Sequence, residues 1–452
     1  MIYLKMIKLI DSIEIIYFIM KPSILKALLM LNLGLLPSLS WSETDANLAP
    51  QRGQGITDLS RDLYQPLGIL FHGFKINPRI ESENQWKDNI YSTQNNSRSD
   101  FVFHLKPNLE IKSQWNRHRL NLSISTDAMF YSTYHREDKQ NTFLDLFGKY
   151  DILKRSFLFG RFYYKDIRED RGTPDSQTRF LAAHPLENET IGGIIGYNHF
   201  WNRFELTATY EGQHIDYIDG LDGVGLPLVN PNHERSRLVH AADLRLAYQL
   251  FSNYQAYLKG GYNRVDYDNI FVSQNNLDRS SDGYTLFSGI KIDLGSKLTA
   301  DGYVGYLSQN YYSTRLKDIQ GITGGLLFQW MPSSLTTVKL GVNRLVNETT
   351  QDRLSGFFST AVTTNIDHEL KRNILLNFHA GYTDNDYRGL LAINRQEDNY
   401  NVGFNVKYLF NRNLYLKASY DYDGRAVNRY SDFGAGSDYD INNFLLTIGG
   451  QL

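Results

Sequence analysis

Apolar and polar residues alternate with a period of two along most of this chain. From Phe101 to Ile111, in the stretch FVFHLKPNLEI, every second residue is apolar and the residues between are mostly polar. A short polar break follows at 115–119, and the alternation resumes at Leu120. A period of two is typical of a β-strand with one apolar face and one polar face. The stretch therefore predicts a β-hairpin whose apolar face meets either a protein core or lipid.

The same pattern recurs from about Phe71 to the carboxyl terminus. The alternating segments are roughly 9–14 residues long, which is the length of tilted membrane-spanning strands. Short and long connections take turns between them. The short ones lie at 115–118, 153–155, 201–203, 251–253, 295–297, 332–334, 371–373 and 411–413, and long polar ones begin at Tyr91, Arg171, Asp219 and Ser431.

This asymmetry of connections is typical of a bacterial outer-membrane barrel. We predict an all-β fold, a transmembrane antiparallel up-and-down β-barrel of about 18 strands (range about 16–20), with short periplasmic turns and long extracellular loops. The first strand is expected near 73–83 and the last at 442–452, with both termini in the periplasm. A soluble β-sandwich would have shorter strands, and a propeller or β-helix would repeat residues as well as pattern.

The amino-terminal region has a different pattern. From Met20 the sequence combines basic Lys21 and Lys26, an apolar stretch at 27–36 and small residues before Ser42. These features predict a signal peptide at 20–42, with a retained membrane anchor as the alternative. Residues 1–19 are interpreted as an extension before the true start, and 71–452 as the barrel. Residues 43–70 are interpreted as a periplasmic lead-in, with a short helix near 58–64 or with the segment tucked into the lumen as a plug.

Composition and motifs narrow the possible functions. The formal net charge is -2 and cysteine is absent, which gives no argument for nucleic acid and excludes cysteine chemistry. The abundant aromatics, Tyr 31 and Phe 25, suit the girdles at the two lipid boundaries. The chain has no G-x-S-x-G, H-E-x-x-H or Walker motif. We therefore predict no enzyme, no catalytic residue and no cofactor. The acidic segments 421–424 and 438–440 are interpreted as solvated loops rather than metal sites.

If the apolar face meets lipid, the polar face lines the interior. A charged residue is tolerated there because water or a counter-charge accompanies it. His104 and His379 share this face, as polar lining. The predicted lumen-lining residues are Lys75, Arg79, Lys106, Lys112, Lys149, Arg161, Lys165, Arg245, Lys259, Lys291, Lys339, Lys407, Lys417, Tyr163, Tyr257, Tyr303 and Tyr415. Lys and Arg attract anionic groups, and tyrosine faces suit sugar rings. The alternative is that these charges pair across neighbouring strands and stiffen the wall.

Several stretches also carry a family resemblance. They are KDNIY at 87–91, its second version DYDNIF at 266–271, the hairpin LKPNLEIKSQWNRHRLNLS and the later YYKDIREDRGTPD. The chain resembles the "putative beta-barrel porin 2" family from about Gly73 to the carboxyl terminus, most strongly over the first hundred or so residues of the barrel. The resemblance implies an outer-membrane barrel. It also suggests a role with exopolysaccharide or capsule gene clusters, and it supplies no catalytic residues.

Together these observations predict a barrel in the bacterial outer membrane that exports an exopolysaccharide or capsular polysaccharide through a hydrated, charged lumen. The expected partners are the polysaccharide chain or small solutes, outer-membrane lipid and polysaccharide-export proteins of the envelope, and not nucleic acid. Two alternatives stay open: a general diffusion porin for small solutes, and a plugged structural or adhesion barrel.

Overall fold

The computed structural model describes residues 63–173, 182–228, 231–295, 297–389, 395–428 and 438–452. The predicted start extension, the signal peptide, most of the lead-in and most of the predicted helix near 58–64 lie outside these residues. Those interpretations therefore stay predictions. Among the described residues, no helix is long and apolar enough to span a membrane.

The described residues form nineteen β-strands and contain few other regular elements. The strands are β1 (Ile69–Phe71), β2 (Phe74–Lys87), β3 (Asp100–Ser113), β4 (Arg119–Tyr131), β5 (Lys139–Leu153), β6 (Ser156–Arg168), β7 (Glu187–Trp201), β8 (Phe204–Tyr217), β9 (Arg237–Phe251), β10 (Tyr254–Tyr267), β11 (Ser281–Asp293), β12 (Leu298–Tyr311), β13 (Ile319–Ser333), β14 (Thr336–Glu348), β15 (Leu354–Lys371), β16 (Ile374–Gly389), β17 (Gln396–Leu409), β18 (Leu414–Asn428) and β19 (Tyr439–Gln451). Three short 3-10 turns, His135–Glu137, Asn232–Arg235 and Val272–Gln274, lie in the connections.

Strands β2 to β19 close into a barrel. Each strand pairs antiparallel with the next, and β19 pairs with β2 from Asn443↔Lys87 to Gln451↔Arg79. Closure leaves no strand edge for lipid to meet, which is how a sheet satisfies its backbone groups inside a membrane. The predicted antiparallel barrel of eighteen strands is confirmed. Strand β1 is a short addition that pairs with the start of β2 through a tight turn at His72 and Gly73, both with positive φ.

The two ends of the barrel differ as the sequence predicts. All eight predicted short connections join consecutive strands at one end, which we call the short-turn end. The connections at the other end are longer, and we call it the long-loop end. By the rule for outer-membrane barrels these ends face the periplasm and the exterior, respectively.

The strands are longer than the alternation suggests. The barrel strands run from 13 residues in β4 to 18 in β15. The interpretation of the two acidic segments as loops is wrong as a result. Segment 421–424 is part of β18, where Asp421 pairs with Gly403 and with Asn443. In the second segment, Tyr439 and Asp440 begin β19, where Asp440 pairs with Gly424. Residues near the long-loop end can pair in the sheet without being apolar, because they extend beyond the lipid.

Exposed apolar side chains mark the outer face of the barrel. Leu258, Leu286 and Val304, on the neighbouring strands β10, β11 and β12, are 57%, 63% and 59% exposed. Such exposure would be unfavourable in water but suits contact with lipid. Trp115, Trp201 and Trp330 are also exposed, close to the short-turn end, which fits an aromatic girdle at that lipid boundary.

Candidate functional site: the inner wall of the barrel

The predicted lumen-lining residues all lie on barrel strands, on the face opposite the exposed apolar side chains. Leu258 and Lys259 on β10 illustrate the two faces, because Leu258 is 57% exposed and Lys259 only 4%. Whether these residues border a solvent pathway stays a prediction. By strand they are Lys75 and Arg79 on β2, Lys106 and Lys112 on β3, Lys149 on β5, Arg161, Tyr163 and Lys165 on β6, Arg245 on β9, Tyr257 and Lys259 on β10, Lys291 on β11, Tyr303 on β12, Lys339 on β14, Lys407 on β17, and Tyr415 and Lys417 on β18.

About half of the predicted cations have carboxylate partners on their own or a neighbouring strand. Lys106 lies 2.5 Å from Glu83 and 3.7 Å from Asp127, and Lys259 lies 3.4 Å from Asp243. These contacts agree with the alternative that inward charges pair and stiffen the wall. The other pairs are Arg79–Glu81, Lys112–Glu110, Lys149–Asp151, Arg161–Asp145 and Arg245–Glu205.

A second group of predicted cations is different. Within the described residues, Lys75, Lys165, Lys291, Lys339 and Lys417 have no carboxylate oxygen within the 4.0 Å that defines an ion pair. All five are half-buried. An ammonium group held on the inner wall without a carboxylate partner keeps its positive field available to water and to anions. The wall is therefore not electrostatically uniform.

Three of the predicted tyrosines lie flat against the wall instead of standing into the lumen. Tyr163, Tyr257 and Tyr415 are 5%, 8% and 1% exposed. Each ring covers a glycine directly across on the next strand, and a Cβ at that glycine would overlap the ring. The pairs are Tyr163–Gly192, Tyr257–Gly289 and Tyr415–Gly449.

The hydroxyl groups of these tyrosines reach the strand beyond the glycine. Tyr257 on β10 donates to Asp301 on β12 at 2.7 Å, and Tyr163 on β6 donates to Gln213 on β8 at 3.0 Å. Tyr415 on β18 donates to Glu81 on β2, which bridges the closure of the barrel. These three rings therefore clamp three strands each and offer no open face to a sugar. Tyr303, which covers Gly325, is half-buried and keeps part of its ring accessible.

An apolar cluster on the inner wall was missed by the sequence reading. Phe157 and Phe159 on β6 pack with Ile194 on β7, and Phe147 on β5 borders them. The Lys149 ammonium group lies 4.3 Å from the centre of the Phe157 ring, within reach of a cation–π interaction. The signal was present in SFLFGRFYY, where apolar residues occupy both faces of the strand.

The ladder between β13 and β14 is incomplete at the long-loop end. In the described chain, pairing of these strands ends at Gly324↔Arg344. From this pair toward the long-loop end, β13 continues to pair with β12, and β14 continues to pair with β15. The end of the β14–β15 hairpin packs instead against the inner face of β11 and β12. Tyr311 donates to the Ser355 carbonyl at 2.8 Å, and Ser281 donates to Glu348 at 3.2 Å.

A buried apolar cluster and a buried arginine hold this hairpin. Phe358 packs with Leu307, Tyr311 and Ile319, together with Phe271, Leu277 and Leu316 from the long loops. Arg279 is 0% exposed. It donates to the carbonyls of Thr349, Leu354 and Gln351 at 2.9, 2.8 and 2.6 Å. The β14–β15 hairpin therefore occupies part of the mouth at the long-loop end.

The β6–β7 connection is anchored over the same mouth. Arg171 donates to Glu137 on the β4–β5 connection at 2.6 and 2.8 Å. Arg425 on β18 donates to the Gly172 carbonyl at 3.0 Å. Since β6 and β18 lie on either side of the closure at β19 and β2, this connection reaches past several strands. Both contacts join residues distant in the sequence, which alternation cannot reveal.

Three carboxylates near the long-loop end come close enough to be considered as metal ligands. Ligand atoms of Asp166, Glu187 and Glu189 lie within 4.8 Å of one another. Arg168 donates to Glu187 at 2.7 Å, and Tyr164 donates to Glu189 at 3.1 Å. These donors already compensate part of the acidic charge, so we assign no metal to the cluster.

The inner-wall histidines do not form a catalytic pair. Nδ1 of His104 lies 2.9 Å from Asp127, and Nε2 lies 2.9 Å from the side-chain oxygen of Gln85. With both ring nitrogens engaged, His104 has no nitrogen left to activate a nucleophile. His379 lies 3.1 Å from Asp421. Both residues fit the predicted role of polar lining.

Comparisons with known proteins find outer-membrane barrels. OccK3 (OpdO) of Pseudomonas aeruginosa matches with 12% identity and a TM-score of 0.40, over 88% of this chain and 98% of that one. OccAB3 of Acinetobacter baumannii matches with 12% identity and a TM-score of 0.44, over 84% and 100%. A mutant of the ferric enterobactin receptor PfeA of Pseudomonas aeruginosa matches with 8% identity and a TM-score of 0.44, over 83% and 80%.

No residue role is transferred from these structures at such low similarity. None of the curated protein sequences compared with the chain matches it. The family model described as "Putative beta-barrel porin 2" matches residues 62–452, a range that includes every described residue, and the protein therefore belongs to that porin-like family of outer-membrane-type β-barrels.

Proposed function

We propose that this barrel lies in the bacterial outer membrane and conducts an acidic exopolysaccharide or capsular polysaccharide through its lumen to the exterior. The observation that carries the proposal is a group of five predicted lumen-lining lysines that have no carboxylate oxygen within 4.0 Å among the described residues: Lys75, Lys165, Lys291, Lys339 and Lys417. Most other inward cations have carboxylate partners, so these five supply the positive field that an anionic chain would meet.

The chemistry suits movement of a polymer better than tight binding. Single ammonium groups on flexible stems contact carboxylates weakly when water is present. Because the five lysines belong to β2, β6, β11, β14 and β18, the contacts would be distributed around the wall. Many weak contacts would let an acidic chain slide without being trapped. We further propose that the protein is not an enzyme and that export is driven from the periplasm by polysaccharide-export proteins of the envelope.

Gene deletion tests the proposal. Secreted and periplasmic polysaccharide would be quantified in the deletion strain and in a strain complemented with the intact gene. We expect secreted polymer to fall while polymer accumulates in the periplasm. Unchanged secretion would overturn the export proposal. Single-channel recording of the purified barrel would then separate a general diffusion porin, which conducts small ions, from a plugged barrel, which does not.

A further inference from the structure

Strands β11 to β14 carry a part of the inner wall where an apolar side chain is widely exposed. Leu327 on β13 is 63% exposed. It lies on the inner face, because it pairs across from Asp301 and Gly341 and its Cδ2 lies 3.8 Å from the Cβ position of Gly341. By contrast, the inward apolar residues Phe159 and Ile194 are covered by their neighbours. Phe143 on β5, which pairs across from inward Lys165, is also exposed on the inner wall, but at 38% it is less open than Leu327. An apolar side chain as exposed as Leu327 inside the barrel calls for a partner.

Leu327 has an uncovered glycine on one side and aromatic rings on the other. Gly341, its partner on β14, has no ring over it, whereas Gly325 on β13 is covered by Tyr303. Phe287 on β11 meets Tyr303 edge to face, with ring centres 5.3 Å apart. Tyr303 and Phe287 are both half-buried. Leu327, Tyr303 and Phe287 thus form an accessible apolar strip across three neighbouring strands.

Two lysines border this strip. Lys291 on β11 pairs across from Asp301, yet no ion pair joins them, and Asp301 accepts the hydroxyl group of Tyr257 at 2.7 Å. Lys339 on β14 pairs across from Gln329 and Asn365. Neither lysine has a carboxylate oxygen within 4.0 Å among the described residues. The exposed Asn343 lies further along β14 and adds an amide to the same face.

An apolar strip bordered by ammonium and amide groups matches one chemical class. A pyranose ring presents C–H groups on its faces and hydroxyl groups at its edge, and a uronic acid adds a carboxylate. Pockets for such ligands combine apolar contact area with a few polar groups that fix orientation. Lysine supplies the charge that a carboxylate needs.

We propose that the inner face of β11 to β14, which we call the β11–β14 track, is a binding subsite for uronic-acid sugar units of the transported chain. Leu327 and Tyr303 contact the ring faces, while Lys291 and Lys339 bind the carboxylates. This inference rests on the proposed function and assigns the sugar contacts to one sector of the wall.

Blocking of single-channel current by defined oligosaccharides tests the track. The purified full-length barrel would be recorded in planar bilayers with hexagalacturonate as the acidic probe and maltohexaose as the neutral probe. Lys291→Gln with Lys339→Gln should raise the half-blocking concentration of hexagalacturonate about tenfold and leave maltohexaose nearly unchanged. Leu327→Ala should raise the value for both probes by about three- to tenfold.

Matched controls separate these effects from general damage. Leu326→Ala changes the neighbouring leucine on the outer face, and Lys297→Gln changes an exposed lysine in the β11–β12 turn. For both variants the half-blocking concentrations of the two probes should equal those of the wild type. Equal blocking of the track variants and the wild type, or equal shifts in the control variants, would overturn the proposal. If the barrel carries no current, calorimetric titration of the same variants with the same probes gives the same comparison.

The oligosaccharide experiment tests the β11–β14 track separately from the gene deletion, which tests export. Normal secretion without the gene, combined with probe binding that depends on Leu327 and the two lysines, would overturn export and support the track. Lost secretion combined with wild-type probe binding in the track variants would support export and overturn the track.

Discussion

Tyr257 on β10 lies directly across from Gly289 on β11, with its ring over the position that a Cβ of Gly289 would occupy. The ring can lie flat only because this glycine has no side chain. That flat position also brings the tyrosine hydroxyl to Asp301 on β12. One missing methyl group thus permits a clamp across three strands.

Replacing this glycine should weaken the barrel. In Gly289→Ala the new methyl group overlaps the Tyr257 ring, which must rotate and give up Asp301. We expect a loss of about 1–3 kcal/mol in the free energy of unfolding, the usual cost of overpacking. Urea unfolding in lipid vesicles measures it. Gly260→Ala, on β10 where nothing lies within 4 Å of the Cβ position, is the control and should change little. Equal stability of the two variants would contradict the clamp.

Leu258 and Lys259 test the assignment of faces. Leu258→Arg places a charge on the lipid face and should cost about 2–4 kcal/mol if the site lies near the middle of the bilayer. The measurement is the fraction of protein that assembles into membranes in folded, heat-modifiable form.

Lys259→Glu should change the ion selectivity of the barrel instead of its assembly. It replaces the partner of Asp243 by a second carboxylate, so the lumen becomes more negative and the preference shifts toward cations. The reversal potential in a salt gradient measures this shift. If Lys259→Glu blocked assembly while Leu258→Arg changed selectivity, the two faces of β10 would be exchanged.

Arg279 should control the position of the β14–β15 hairpin. In Arg279→Ala the carbonyls of Thr349, Gln351 and Leu354 lose a buried, charge-assisted donor, which destabilises the folded-in arrangement. We expect faster proteolysis at 349–353 and a higher single-channel conductance.

The control lies in the same connection. Arg353→Ala removes an arginine whose side chain is largely exposed and lies beside Asp352. It should leave both proteolysis and conductance close to wild type. A release of the hairpin by this variant, or none by Arg279→Ala, would argue against the arginine as its anchor.

The β8–β9 connection should loosen in acid. Burial opposes ionisation of Asp219, but the backbone N–H and the imidazole of His233 outweigh it and hold the pKa of this carboxyl below its ordinary value. A lowered folded-state pKa means that the stabilisation is full above the unfolded-state pKa and is lost as the pH falls through the folded-state value. Hydrogen exchange at the His233 amide, corrected for intrinsic rates, should accelerate over that window.

The variant Asp219→Asn removes the titrating group. Its exchange at His233 should already be fast near neutral pH and should show little further change on acidification. A wild-type pH profile in this variant would assign the effect to another group.

The wall of the barrel was predictable because its physics is local. Period-two alternation and the polar residues at turns such as 115–118 determine where strands run and where they reverse. The partners of the inward-facing side chains were not predictable, because they depend on the register between strands. Nothing local to Lys259 indicates that Asp243 on β9 will be its partner, while Lys291 faces an aspartate already engaged by Tyr257.

The mouth was even less accessible to sequence reasoning. Contacts such as Arg425 with Gly172, or Arg279 with Thr349, join residues far apart in the chain. Their formation depends on how the finished barrel brings its long connections together. The clamped tyrosines differ from expectation for a related reason, because a glycine on another strand decides whether a ring lies flat.

The incomplete ladder between β13 and β14 has a mechanical consequence. Most of the wall can move only by breaking backbone hydrogen bonds on both sides of a strand. Near the long-loop end, β14 lacks backbone hydrogen bonds to β13, and its hairpin makes side-chain contacts with β11 and β12 instead. A swing of its hairpin toward β13 would therefore gain backbone hydrogen bonds to β13 and lose the side-chain contacts with β11 and β12. An exchange between two sets of contacts is the physical basis of a bistable element. In the described barrel, the β14–β15 hairpin is placed for such an exchange, because β14 leaves the adjoining part of β13 unpaired on that side.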